Sequence, residues 1–219
     1  MKTNETLQAD VQKTIKWEPL LNTAEIGVTA KNGVVTLSGM VDSYAKKVEA
    51  ENAAKRVSGV KAVAEEIEVS YGNSFKKNDI EIATEILNAW KWNWEIPSDR
   101  IMVKVENGRV TLEGKVEWNY QKEAAKKAVN HLVGVKMVIN SITVQSRTQD
   151  AIEKTAIEHS PDRSWAVDSE NTVVDVKGNG VKLTGTVDSL YEKDEASRLA
   201  WNSPGVWTVD NELFVDYDN

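Results

Sequence analysis

Val35-Thr36-Leu37-Ser38-Gly39, Val110-Thr111-Leu112-Glu113-Gly114 and Val181-Lys182-Leu183-Thr184-Gly185 are one pattern written three times, offset by 75 and then 71 residues. Around it the copies superimpose without gaps for about 45 residues, and a fixed internal period marks one structural unit used repeatedly. A second glycine follows 20 residues after the first in each copy, at Gly59, Gly134 and Gly205, and each is followed by valine. The 219 residues therefore divide into three modules, at 1–72, 73–147 and 148–219.

Working outward from the motif, apolar residues alternate with polar or small ones just before it. Ile26, Val28 and Ala30, then Ile101, Val103 and Val105, then Thr172, Val174 and Val176 have the period of two that marks a half-buried strand. Lys31-Asn32-Gly33, Glu106-Asn107-Gly108 and Gly178-Asn179-Gly180 follow, and Asn and Gly suit the positive φ of a tight hairpin. The motif itself is then the returning antiparallel strand, with its Val and Leu directed to the core. After the motif glycine the spacing becomes helical. Ala50, Ala53, Ala54 and Val57 share one face, matched by Ala125, Ala128, Val129 and Leu132, and by Ala196, Leu199 and Ala200. A last strand carries Ile67 and Val69, Ile142 and Val144, or Leu213 and Val215. A further helix precedes the first strand, clearest over Ile80 to Trp90, where Ile82, Ile86 and Trp90 stack four apart. The reading is an α+β fold: three tandem αββαβ modules, each a three-stranded mixed sheet with two helices on one face and the other face uncovered. Short polar linkers, near Gly72 to Lys77 and Ser146 to Gln149, keep the copies adjacent.

Composition excludes several functions. No apolar run approaches the roughly 18 residues that span a bilayer, and the N-terminus lacks the apolar stretch of a secretory signal, so a cytoplasmic product is expected, peripheral at most to a membrane. There are no cysteines, hence no disulfide, thiolate metal site or cysteine nucleophile. The formal charge of -7 argues against nucleic acid as a partner. That charge is uneven: residues 1–72 sum to -1, residues 73–147 to +3 and residues 148–219 to -9.

Catalytic signatures are missing. With only His131 and His159, both near expected helix ends, no paired-histidine metal site can form. The chain has no GxSxG, phosphate loop or GxGxxG. Glu65, Glu66 and Glu68, or Asp210 to Asp218, offer carboxylate oxygens to a hard cation, but without EF-hand spacing a solvated strand edge or tail accounts for them. No catalytic residue, metal or cofactor is assigned.

The eight tryptophans say more. In the repeat register Trp90 takes the place of Ile15 on the apolar helix face and Trp92 coincides with Trp17, so packing is expected for both. Trp94 corresponds to Pro19 and Trp165, and Trp118 to Ser43 and Ser189, so neither belongs to the common core. Trp94 follows Lys91, and Trp118 opens a helix bearing Lys122, Lys126 and Lys127. Indole beside lysine suits a lipid headgroup layer. Trp94, Trp118, Lys91, Lys122 and Lys126 are therefore the candidate contact residues for a lipid or another partner. The competing reading has Trp118 covering the core edge, seven residues before Ala125 on the same face.

The repeated unit resembles the BON domain, named for bacterial osmotic-stress and nodulation proteins. Copy one shows the whole pattern: Ile26, Val28, Asn32, Gly33, Val35 to Gly39, Val41-Asp42-Ser43 and Gly59-Val60. Copy two departs at Glu117-Trp118, and copy three at Gly178-Asn179-Gly180 and Ser203-Pro204. The resemblance implies a non-enzymatic binding or scaffold protein of bacterial stress, whose partner is a phospholipid membrane surface or another, envelope-associated protein. A small-ligand or cation sensor is the alternative. Oligomeric state is left open.

Overall fold

The computed structural model describes residues 2–21, 25–72, 77–145, 172–203 and 206–217. The expected first helix of module 3, with His159 and Trp165, and the linker at 146–149 lie outside them, as do residues 73–76 of the other linker. The elements run α1 (Asn4–Trp17), β1 (Glu25–Lys31), β2 (Val34–Val41), α2 (Tyr44–Lys55), β3 (Ala62–Val69), α3 (Asp79–Lys91), β4 (Ile101–Glu106), β5 (Arg109–Val116), α4 (Asn119–Asn130) and β6 (Met137–Val144). Module 3 continues with β7 (Thr172–Lys177), β8 (Gly180–Val187), α5 (Leu190–Trp201) and β9 (Thr208–Val215). A short 3-10 turn, Pro19–Leu21, follows α1.

The fold is α+β, with three three-stranded sheets ordered β1-β2-β3, β4-β5-β6 and β7-β8-β9, so the motif strand is always central. In module 2, β4 pairs antiparallel with β5 and β6 pairs parallel with it; β7, β8 and β9 repeat this. The parallel partner is reached through a helix because a tight turn cannot join parallel strands. The chain divides into two compact units, Met1–Gly39 with Glu49–Glu66 and Thr148–Asn219, and Met40–Val48 with Ile67–Arg147.

Sequence chemistry accounts for the elements. Asn32 and Asn107 adopt φ of 53° ahead of Gly33 and Gly108 at 82° and 78°, the doubly positive pair of a type I′ hairpin. In module 3 the two turn residues are Gly178 and Asn179, and Gly180 already pairs with Lys177. Asp79 clamps the module 2 turn, its carboxylate accepting from the N–H of Asn107 at 2.7 Å and of Gly108 at 2.9 Å. Asn4 does the same for Asn32. The second helix is capped by Ser43 in module 1 and by Ser189 in module 3, whose hydroxyl accepts from the Glu192 N–H at 3.2 Å. Trp118 occupies that position in module 2 and has no acceptor to offer. Gln121 reaches back instead, its side-chain oxygen accepting from the N–H of Glu117 and Trp118.

The cores follow the repeat. Val35 and Leu37, Val110 and Leu112, and Val181 and Leu183 are buried. In module 2 they are joined by Ile82, Ile86 and Trp90 of α3 and by Ala125 and Val129 of α4. Trp90 locks the two helices together, its indole N–H donating to the Ala125 carbonyl at 3.3 Å. The alanine stripe is less uniform than its spacing implies: Ala53 is fully buried, whereas its counterparts Ala128 and Leu199, and also Leu132, are half-buried.

Candidate functional site

The last turn of α3 sits against the middle of α4 through Trp90, and the chain then turns sharply. Asn93 N–H donates to the Trp90 carbonyl at 3.1 Å, and Ile96 N–H to the Asn93 carbonyl at 3.1 Å. The Asn93 side chain accepts from Glu95 N–H at 3.0 Å. Because Trp90 and Ile96 are both buried, the turn is pinned at each end. Between those anchors Trp92 and Trp94 stand 85% and 87% exposed.

This corrects the packing role expected for Trp92 and Trp17, the latter being 77% exposed. Each lies two residues beyond a buried helix residue, Trp90 or Ile15. Two residues turn a helix by roughly 200°, which carries the side chain to the opposite side. Sharing a position across copies was not evidence of burial.

Of the candidate residues, Lys91 at the end of α3 and Trp94 in the turn that follows are both exposed. Trp118, Lys122 and Lys126 line one stripe of α4 and are half-buried, so Trp118 offers less free surface than Trp94. The Trp90 link to Ala125 brings the end of α3 to the helix that carries Lys122 and Lys126. All five residues belong to the second compact unit.

Two further exposed apolar residues lie on α3 and do not stand out in the sequence. Ile80 is 79% exposed and Leu87 half exposed, seven residues apart and thus on one outward stripe of α3 that Lys91 extends. Their counterparts in α1 are Glu5 and Gln12, both exposed. The same helix face that is polar in module 1 is apolar in module 2, and comparing outward positions between copies would have found it.

Elsewhere there is little chemistry. Glu65, Glu66 and Glu68 are exposed on β3, and His131 is the exposed C-cap of α4. Among the described residues no group of three or more His, Asp or Glu is placed to hold a metal ion, and no helix is long and apolar enough to cross a membrane.

The repeat has an assigned family. Three matches to the BON domain cover residues 3–71, 78–146 and 150–217. The chain belongs to the BON domain family. Two curated relatives are similar to part of it. Osmotically-inducible protein Y of Escherichia coli (strain K12) is 32% identical over 126 residues, 56% of this chain and 63% of that protein. The 21 kDa hemolysin of Actinobacillus pleuropneumoniae is 32% identical over 123 residues, 54% and 62% respectively. The match thus spans less than two-thirds of either relative. Among solved structures, CdsD, a structural protein of the Type III secretion system of Chlamydia trachomatis, aligns over 96% of this chain and 93% of its own at 18% identity. The TM-score there is 0.27.

Proposed function

We propose that this chain is a non-enzymatic binding protein of the bacterial osmotic-stress response, and that its second BON module docks on an anionic phospholipid surface. The observation that carries the reading is the row of exposed apolar side chains on α3 and its following turn: Ile80, Leu87, Trp92 and Trp94, with Lys91 among them. Single exposed apolar residues are ordinary, but four within one helix and its following turn suit a membrane interface. Asp79, Glu81, Glu85 and Glu95 share that segment with Lys91, and the basic excess lies elsewhere in the module. The similarity to an osmotically inducible protein supports the stress setting.

The magnitudes are sufficient. An indole entering the headgroup layer buries on the order of 100 Å², worth about 2.5 kcal/mol at roughly 25 cal/mol/Å². Each lysine near an anionic surface adds about 1 kcal/mol, and residues 73–147 carry a net +3. Apolar insertion and charge together make the two signals that stable peripheral attachment requires.

The test is vesicle titration of the full chain, following tryptophan emission, with anionic and with zwitterionic phospholipid. Binding to the anionic vesicles that weakens with salt is expected, and the double variant Trp92→Ala with Trp94→Ala loses on the order of a thousandfold or more in affinity. If the double variant binds as tightly as the parent, the site is misplaced. If the folded parent ignores anionic vesicles at low salt, a protein partner replaces the lipid.

A further inference from the structure

Modules 1 and 2 carry the same cleft. In module 2 a cavity of about 450 Å³ lies between the start of α3 (Lys77, Asp79), the hairpin turn (Asn107, Gly108) and the loop ahead of β6 (Gly134, Lys136). In module 1 the counterpart, about 320 Å³, is lined by Lys2, Asn4, Asn32, Gly33, Gly59 and Lys61, each in repeat register with one of those. The walls are built alike. The loop lysine N–H donates to the turn glycine carbonyl in both, Lys136 to Gly108 at 2.8 Å and Lys61 to Gly33 at 2.7 Å.

Both clefts meet a tyrosine from another module. Tyr71, two residues past Val69 at the end of β3, lines the module 2 cleft, and its hydroxyl donates to the Val135 carbonyl at 2.8 Å. Tyr217, two residues past Val215 at the end of β9, lies with its ring centroid 5.0 Å from the Lys61 ammonium, a cation–π distance. Tyr71 and Tyr217 occupy the same repeat position, as do Lys136 and Lys61. Each junction lies wholly within one compact unit. Lys55 to Asp194 at 3.0 Å and the Arg56 guanidinium 4.9 Å over the Tyr191 ring add to the junction of modules 1 and 3.

We propose that this cleft is a receptor for the tyrosine-bearing strand tail of another module: Tyr71 of module 1 forms part of its wall in module 2, and Tyr217 of module 3 seats against Lys61 at its edge in module 1. The partner it fits is a strand end of the form valine, any residue, tyrosine. The rule is selective within the chain, because Ser146 stands in register with Tyr71 and Tyr217, and Trp207 with Lys61 and Lys136. Module 2 therefore offers no such tail, and module 3 lacks the receiving lysine.

The test is amide-resolved NMR of the full chain. Tyr217→Ala is expected to shift Asn32, Gly33 and Gly59 to Lys61, leaving Asn107, Gly108 and Gly134 to Lys136 in place; Tyr71→Ala is expected to do the reverse. The phenylalanine variants decide the matter even where an alanine variant unfolds. Tyr217→Phe keeps a ring for Lys61 and leaves its set unmoved, whereas Tyr71→Phe frees the Val135 carbonyl and shifts Lys136. Either alanine variant leaving its own set unmoved while folded, or the two phenylalanine variants behaving alike, overturns the proposal.

Discussion

Replacing Gly114 by alanine tests why the repeated motif ends in glycine. Gly114 has φ of +146°, and a Cβ built there would lie 2.2 Å from the Arg100 carbonyl oxygen and 3.1 Å from the Ile101 Cα. Both obstacles are backbone. The strand cannot slide away from them, because Gly114 pairs with Ile101 on one side and Ile142 on the other. A side chain at such a φ costs on the order of 1–3 kcal/mol, and forcing a methyl into a closed site costs a similar amount. Since partial relaxation makes the two less than additive, about 3 kcal/mol is expected, a large share of the stability of a domain this size. Hydrogen exchange of the full chain, read on peptides covering β4 to β6, is the assay. Loss of about 3 kcal/mol speeds exchange through module unfolding on the order of a hundredfold. Gly72→Ala is the matched control, since nothing lies within 4 Å of a Cβ there, and it leaves protection unchanged. Protection of β5 in Gly114→Ala equal to the parent would refute the steric argument.

Two further outcomes follow from burial. Ala53→Leu forces a larger side chain into a fully buried site and is expected to cost about 1–3 kcal/mol in thermal unfolding, whereas Ala128→Leu, half-buried, stays within about 0.5 kcal/mol; equal losses would mean that exposure does not distinguish the two. Burial pushes the Tyr71 hydroxyl above its usual value, outweighing its backbone contacts. The fold therefore favours neutral Tyr71, its contribution is fully present below the ordinary tyrosine pKa of about 10, and it is lost as pH rises through the higher folded value. Ultraviolet titration is expected to lose a late-ionising component in Tyr71→Phe; an unchanged titration counts against it.

Much of the fold was legible because backbone demands recur. Asn107-Gly108 supplies two positive φ values, Gly114 admits a close carbonyl, and Val110 with Leu112 fills the core; each is repeated or nearly so in the other copies. The site was legible only in part. Trp94 and Lys91 stand out in the sequence because Trp94 has no counterpart in the common core, and both are exposed. Trp92 reads as packed because Trp17 shares its position, although helix phase places both away from the buried residues. Ile80 and Leu87 were missed since an apolar residue on a helix reads as core unless its phase is measured against Ile82, Ile86 and Trp90.

The copies thus act as controls for one another. Positions that serve the fold hold their chemistry across modules, and positions that change chemistry while remaining outside the core need another reason. Glu5 becomes Ile80, Gln12 becomes Leu87 and Pro19 becomes Trp94, all three exposed in module 2. At the start of the second helix Ser43 and Ser189 become Trp118, which forgoes a side-chain cap ordinarily worth about 1 kcal/mol and leaves Gln121 to satisfy the turn from the other side. An exposed helix face gains nothing in folding from isoleucine or tryptophan over glutamate, since the apolar surface stays in water. The gain arises only when something removes that surface from water. Ile80, Leu87 and Trp118 depart from their counterparts only in the basic module, where the proposed docking on an anionic phospholipid surface would use them, whereas Trp94 is shared with Trp165 of module 3.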